Sequence, residues 1–170
     1  MDFVVSVTTR PRRPGEADGV DYEFVGEEEF DRLVGDGGFL EWALVHGHRY
    51  GTPSGPVEGS LRAGKVVLLE VDVQGGERLM DLYPDGVSVF LLPPGFDVLA
   101  ERLRGRGTEP EGEVRRRLER AREEMTHAGR YSYVVVNDKV DEAVDKLRSI
   151  VVAERCRVSR RAAPGGSGSH

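Results

Sequence analysis

Val66-Val67-Leu68-Leu69-Glu70-Val71-Asp72 is a run of apolar residues that ends in two carboxylates. Its apolar part is typical of a buried strand in a parallel sheet. Similar apolar runs at residues 87–92 and 133–136 alternate with helix-period segments at residues 96–103 and 140–151. This alternation predicts an α/β fold with a mostly parallel sheet and helices on both faces.

The composition indicates one domain of ordinary size. With 170 residues, 38% hydrophobic and 32% charged, the chain is long enough for one sizeable core. The formal net charge of -6 disfavours a general nucleic-acid binder, because such a surface repels the phosphate backbone. A single cysteine, Cys156, cannot form an internal disulfide, and no apolar run approaches the roughly 20 residues of a membrane helix. We therefore expect a cytoplasmic protein without nucleic-acid or membrane partners.

A segment of shorter elements interrupts the predicted core. It contains a short strand and two helices, at residues 22–25, at residues 27–34 and after Ser54. We expect this segment to form a subdomain beside the core, and a lid rich in glycine and arginine to follow later. The predicted division is core at 1–9 and 65–161, subdomain at 10–64, lid at about 104–118 and a disordered Gly/Ser-rich tail at 162–170.

Two neighbouring arginines form a candidate anion site. Arg10 and Arg13 lie on either side of Pro11, which holds the backbone extended or turned. Two planar guanidinium groups can then converge on one phosphate. Tyr22 and Tyr50 can each donate a hydroxyl hydrogen bond to the same phosphate. The alternative is a solvated basic loop, with both tyrosines in the core.

Glu41 and Thr52 offer the groups that distinguish guanine from adenine. Guanine presents N1–H and an exocyclic amine as adjacent donors and O6 as an acceptor, which a carboxylate and a hydroxyl match. Adenine would place a lone pair against the Glu41 carboxylate, which costs several kcal/mol. The alternatives are an exposed glutamate between Leu40 and Trp42 and a threonine that merely follows a glycine turn.

Five separated segments together resemble the acceptor half of guanylate kinase, and the resemblance runs from about Phe3 to about Arg161. They are Ser6-Val7-Thr8-Thr9-Arg10-Pro11-Arg12-Arg13-Pro14-Gly15-Glu16, Asp21-Tyr22, Phe39-Leu40-Glu41-Trp42, Tyr50-Gly51-Thr52-Pro53 and Glu70-Val71-Asp72-Val73-Gln74-Gly75. The resemblance implies a P-loop-kinase-like fold and the reaction of ATP with GMP to give ADP and GDP, with Mg²⁺.

The resemblance also implies the residues of the site. The GMP-binding set is Ser6, Arg10, Arg13, Tyr22, Glu41, Tyr50, Thr52 and Glu70, where Glu70 stands in place of an aspartate found in many relatives. The ATP-binding set is Arg102, Arg106 and Asn137. The catalytic set is Arg10, Asp72, Arg106 and Arg117, with Asp72 beside the metal.

Structural alternatives remain open for Asp72, for the arginines of the predicted lid region and for Asn137. Asp72 follows an apolar strand, at the edge of a parallel sheet where open α/β folds place their ligands, but a polar strand end can also cap a loop. The arginines between 102 and 117 are followed by Glu119, Glu123 and Glu124, so a solvated helix face is the alternative for them. A helix cap formed by Asn137 and Asp138 is the alternative for Asn137.

The sequence contains no phosphate loop of the form G-x-x-x-x-G-K-[ST], with which guanylate kinases begin. We therefore expect that the natural protein starts farther upstream, with a first strand and this loop. The alternative function is a non-catalytic module of the guanylate kinase type that binds GMP or another protein.

Overall fold

The structure is a computed structural model that describes residues 1–105 and 111–157. The chain divides into two compact units, Met1–Gly86 and a second that begins at Val87. The domain division given above stays a prediction, and Arg106, part of the lid and the tail lie outside the described residues. None of the helices in these two ranges combines the length and apolar character needed to span a bilayer.

The first unit contains two small sheets. Its elements are β1 (Asp2–Phe3), β2 (Val7–Thr8), β3 (Glu23–Phe24), α1 (Glu27–Gly35), β4 (Phe39–Val45), β5 (His48–Pro53), α2 (Ser54–Arg62), β6 (Val67–Leu68) and α3 (Val73–Leu82). Strands β1 and β6 pair in parallel. The other four form a sheet in the order β3-β2-β5-β4, in which β2 is parallel to β3 and β5 is antiparallel to both neighbours. The first eight residues therefore contribute one strand to each of the two sheets, β1 to one and β2 to the other.

The hairpin of β4 and β5 was not predicted from the sequence. Val45 pairs with His48, so only His46 and Gly47 form the turn. Both have positive φ, 51° and 80°. Two such residues make the mirror-image turn whose twist matches that of the flanking strands. Histidine is an uncommon residue in this conformation, which explains why the turn gave only a weak signal.

Helix α1 is bound to the four-stranded sheet through Phe30. The Phe30 side chain is fully buried and stacks at 4.7 Å on the ring of Phe39. On its other side the guanidinium of Arg49 lies 4.7 Å from the Phe30 ring and pairs with Glu27 and Asp31 on the same helix. Apolar packing therefore holds this helix to β4, and ion pairing holds it to β5.

The second unit contains one parallel strand pair and three α-helices among its described residues. Its elements are β7 (Val89–Leu92), α4 (Phe96–Gly105), α5 (Glu111–Met125), a 3₁₀ turn (Thr126–Arg130), β8 (Tyr133–Val136) and α6 (Val140–Arg155). Strands β7 and β8 pair in parallel along their whole length, and α6 packs against β8. The helices predicted at residues 96–103 and 140–151 are confirmed as α4 and α6.

The predicted cap of α6 at Asn137 and Asp138 is wrong. Lys139 occupies the N-cap position and makes no side-chain capping bond. The cause is that Asn137 is still bound to the strand, with its N–H donating to the carbonyl of Leu92 at 2.7 Å. Arg102 donates to the carbonyls of Asn137 and Asp138 at 2.8 and 2.7 Å, which holds both residues outside the helix.

Replacement of Phe30 should test whether α1 depends on this buried ring. We expect Phe30→Ala to lower the free energy of unfolding by about 3–5 kcal/mol, because it leaves a cavity under α1. Leu61→Ala on α2 is the control, since Leu61 is 43% exposed. Urea unfolding followed by circular dichroism measures both, and equal effects of the two variants would contradict this account of the core.

Candidate active site

All four strands of the larger sheet bring predicted site residues together. Arg10 follows β2, Tyr22 precedes β3, Glu41 lies on β4, and Tyr50 and Thr52 lie on β5. Adjacent strands are about 4.8 Å apart, so side chains on neighbouring strands lie within contact distance. The sheet therefore assembles residues that are far apart in sequence.

Arg10 is the centre of the predicted phosphate site. It is only 8% exposed, and its Nε donates to the Tyr50 hydroxyl at 3.2 Å. Its guanidinium lies 5.4 Å from the ring of Tyr22, which in turn packs edge-on against Tyr50 at 5.8 Å. The alternative of a solvated loop is therefore wrong for Arg10, whereas Arg13 is exposed.

Glu16 is a partner of Arg10 that received no role in the sequence analysis. Its carboxylate accepts from both terminal nitrogens of Arg10, at 2.8 and 3.1 Å, and from the backbone N–H of Arg13 at 2.8 Å. This hydrogen-bonded ion pair raises the pKa of Arg10 and lowers the pKa of Glu16. The pairing across a loop depends on the folded backbone, so residue type alone did not reveal it.

The bonds of Arg10 determine what it can still offer to a ligand. A guanidinium has five N–H donors. Nε is bonded to Tyr50, and Nη1 is bonded to the Pro11 carbonyl at 2.8 Å and to Glu16. One N–H of Nη2 is bonded to Glu16, which leaves its second N–H available. The bidentate fork predicted for Arg10 therefore faces Glu16 in this structure.

Glu41 and Thr52 form a buried pair on facing strands. They are directly opposite in the register of β4 and β5, just past a register shift between Phe39 and Glu41. The Thr52 hydroxyl donates to Oε1 of Glu41 at 2.5 Å, and the two residues are 1% and 7% exposed. Burial raises the pKa of the Glu41 carboxyl, and the bond from Thr52 opposes that rise. The alternative of an exposed glutamate is therefore wrong.

Helix α3 begins against the Glu41 carboxylate. Asp72 is its N-cap, with Oδ1 accepting from the backbone N–H of Gly75 at 2.9 Å. A Cβ at position 75 would lie 2.7 Å from Oε2 of Glu41, so only glycine allows this approach. This helix was not predicted, because two consecutive glycines, Gly75 and Gly76, weaken the helical pattern. Asp72 thus caps helix α3, whereas the alternative considered for it was the capping of a loop.

Two further predicted GMP residues lie at strand ends. Ser6 directly precedes β2, and its carbonyl accepts from the N–H of Glu23 at 2.9 Å. Glu70 follows β6 and is exposed. Burial is the main cause that raises the pKa of the Tyr22 phenol, and the charge of Glu70 adds to this rise, so Glu70 acts electrostatically on Tyr22.

The residues predicted to bind ATP lie in the second unit, as far as the structure describes them. Arg102 on α4 donates to the carbonyl of Asn137, so two of these residues are brought together. The Oδ1 atom of Asn137 is buried and has no hydrogen-bond partner among the described residues. Arg117 lies on α5 and is partly exposed. Arg106 falls outside residues 1–105 and 111–157.

Comparison with known proteins identifies the family. The family model described as Guanylate kinase matches residues 1–154. The chain belongs to the guanylate kinase family. It is 52% identical over 155 residues to the guanylate kinase of Corynebacterium diphtheriae, covering 90% of this chain and 81% of that protein. It is 47% identical over 160 residues to that of Caldanaerobacter subterraneus, covering 94% and 78%.

A solved structure agrees with the sequence relatives. The crystal structure of guanylate kinase from Anaplasma phagocytophilum superposes with a TM-score of 0.81 at 37% identity, covering 95% of this chain and 80% of that chain. The predicted α/β fold of the P-loop kinase type and the predicted guanylate kinase function are confirmed at the level of the family, and the non-catalytic alternative is not favoured. The cytoplasmic location and the absence of nucleic-acid partners stay predictions.

Removing the charge of Glu16 tests whether its ion pair with Arg10 stabilises the folded protein. We expect Glu16→Gln to lower the free energy of unfolding at pH 7 by about 1.5–3 kcal/mol, because buried Arg10 loses its charged acceptor. The pKa of Glu16 is lowered by folding, so its contribution is full above the ordinary glutamate pKa and is lost as the pH falls through the lowered value.

Thermal and urea unfolding between pH 3 and 7 measure this difference. Glu29→Gln is the matched control, because Glu29 also pairs with an arginine, Arg32, but on the exposed surface of α1. A Glu16→Gln variant as stable as this control would contradict the role assigned to the pair.

Proposed function

We propose that this chain binds GMP through its four-stranded sheet, as the acceptor part of a guanylate kinase that transfers a phosphoryl group from ATP to GMP. The observation that carries the proposal is the buried pair of Glu41 and Thr52, joined at 2.5 Å. A buried carboxylate is costly unless its oxygens are hydrogen-bonded. A guanine edge supplies the adjacent donors that such a group requires.

Base recognition involves an exchange of hydrogen bonds. In the free protein the Thr52 hydroxyl donates its hydrogen bond to Oε1 of Glu41. When N1–H and the exocyclic amine of guanine donate to Glu41, that hydroxyl is released to donate to O6. Adenine offers an acceptor at N1 and leaves the buried carboxylate facing a lone pair, so AMP is discriminated against.

Phosphate recognition uses donors that the ion pair leaves available. Arg10 retains one N–H on Nη2, and the Tyr50 hydroxyl, which accepts from Arg10, retains its own proton. Tyr22 packs against both side chains, and its hydroxyl is the third donor. We assign Arg13, Ser6 and Glu70 to the same acceptor site, with Arg13 as the second cation for the phosphate.

The ATP side rests on residues of the second unit. The buried Oδ1 of Asn137, without a hydrogen-bond partner in the described part of the chain, suits the exocyclic amine of adenine. Arg102 holds the backbone of Asn137 in place. We assign Arg106 and Arg117 to the transferred phosphoryl group, since phosphoryl transfer depends on charge neutralisation and positioning.

Asp72 is the proposed magnesium ligand. Its Oδ1 is bound to the N–H of Gly75, whereas Oδ2 has only a long bond to Gln74 at 3.4 Å. Within the described ranges no group of three or more His, Cys, Asp or Glu side chains could hold a metal. One carboxylate fits Mg²⁺, because this ion is commonly bound by one or two carboxylates together with substrate phosphates and water. Bound there, Mg²⁺ would neutralise charge on the phosphates.

Replacement of Glu41 tests the proposed base recognition. We expect Glu41→Gln to weaken GMP binding by about a hundredfold, because one of two charge-assisted bonds to guanine is lost and an amide donor faces guanine donors. Calorimetric titration of GMP and AMP measures affinity, and a coupled assay for ADP release measures turnover. The matched control is Glu58→Gln, a change on α2 at an exposed ion pair with Arg62. GMP affinity unchanged by Glu41→Gln would refute the proposal.

A further inference from the structure

Arg78 links helix α3 to strand β4 beside the candidate guanine site. Its Nη1 donates to the backbone carbonyl of Trp42, the residue after Glu41. We infer that Arg78 is a positioning residue for GMP recognition, which holds α3 against β4 and so keeps the Glu41 carboxylate in place for guanine. This inference rests on the proposed function and adds to it a residue outside the ligand-binding sets given above.

The spacing of the contacts supports this role. Gly75 and Arg78 are three residues apart on α3 and therefore lie on the same face of the helix. Gly75 meets the carboxylate of Glu41, and Arg78 meets the carbonyl of the next residue, Trp42. Two neighbouring points on one helix face thus contact two consecutive residues of β4.

The edge position of β4 explains why a side chain makes the second contact. β4 is the last strand in the order β3-β2-β5-β4. Carbonyls on the free side of an edge strand need partners other than a neighbouring strand. A guanidinium supplies a strong charged donor for such a carbonyl. Arg78 therefore ties α3 to the backbone of the strand that carries Glu41.

The separation of α3 and β4 controls the Glu41 side chain directly. Helix α3 and the Glu41 side chain are in close contact, because a Cβ atom at position 75 would lie only 2.7 Å from Oε2 of Glu41. Withdrawal of α3 would remove one wall beside the carboxylate and would leave only the Thr52 bond to orient it. The charge of Arg78 acts on the same carboxyl, since it opposes the burial that raises the pKa of Glu41.

The test compares ligands that differ at one of the two donors that Glu41 is expected to recognise, because inosine monophosphate retains N1–H. Inosine monophosphate lacks the exocyclic amine of GMP and keeps the same phosphate and ribose. Arg78→Met retains most of the aliphatic stem and removes the donor and the charge. We expect Arg78→Met to weaken GMP binding by about fivefold to tenfold and to weaken binding of inosine monophosphate by about twofold to threefold, because that ligand makes only one of the two bonds to Glu41. Arg78→Lys should restore most of the GMP affinity.

A matched control and a double variant separate positioning from general stability. Arg62→Met on α2 removes another exposed arginine, whose partner Glu58 lies on its own helix, and it should leave both affinities unchanged. In the Glu41→Gln background, Arg78→Met should cause little further loss, because residues that act through one interaction are not additive. Calorimetry on the full chain gives all affinities, and thermal unfolding verifies that each variant is folded.

Three results would overturn the inference. Equal weakening of both ligands by Arg78→Met would indicate a purely structural role, and unchanged GMP affinity would indicate none. Additive losses in the double variant would show that Arg78 acts independently of Glu41. Failure of the proposed function has a different signature, since the unmodified chain would then bind GMP no better than AMP.

Discussion

Burial of the Glu41 carboxylate is the constraint on which the arrangement of the first unit depends. A carboxylate that is 7% exposed is costly in a protein interior unless its oxygens are bonded. The register of β4 and β5 places Thr52 directly opposite, and the start of α3 at Gly75 closes the other side. The two-residue turn at His46 and Gly47 sets that register. The β4–β5 hairpin, its turn and the start of α3 therefore all determine the surroundings of the Glu41 side chain.

The two buried charges of the site are stabilised in opposite ways. Arg10 is paired within the protein, because Glu16 accepts from both of its terminal nitrogens. Glu41 has a neutral hydroxyl as its hydrogen-bonding partner, and burial raises the pKa of its carboxyl. A paired arginine is a preformed, rigid donor for phosphate. The Glu41 carboxylate has unused acceptor capacity, so it is stabilised most by a ligand that supplies hydrogen-bond donors. Guanine supplies such donors, whereas a phosphate alone does not.

Local patterns predicted several of the regular elements, whereas contacts across the fold could not be predicted from them. Apolar runs and helical periods gave β7, β8, α4 and α6, because these signals are contained within each segment. The sequence does not predict helix α3, because Gly75 and Gly76 weaken the helical pattern at its start. Its N-cap, Asp72, is interpreted from the sequence mainly as a residue beside the metal. The prediction that Asn137 caps α6 is wrong, because the backbone N–H of Asn137 is hydrogen-bonded to Leu92 at the end of the strand pair. At the site, the residue types that suit GMP are recognisable from the sequence. The pairing of Glu16 with Arg10 is not, because it depends on how the loop folds.

The start of α3 shows how local stability is given up for the site. Glycine at a helix interior costs about 1 kcal/mol relative to alanine, and this helix has two in its first turn. The Asp72 cap offsets part of that loss, since an N-cap bond contributes about 1 kcal/mol. A bulkier residue at position 75 would favour the isolated helix and would displace the Glu41 carboxylate, because its Cβ would lie 2.7 Å from Oε2. Helix propensity and site geometry therefore conflict at Gly75, and the residue present favours the site.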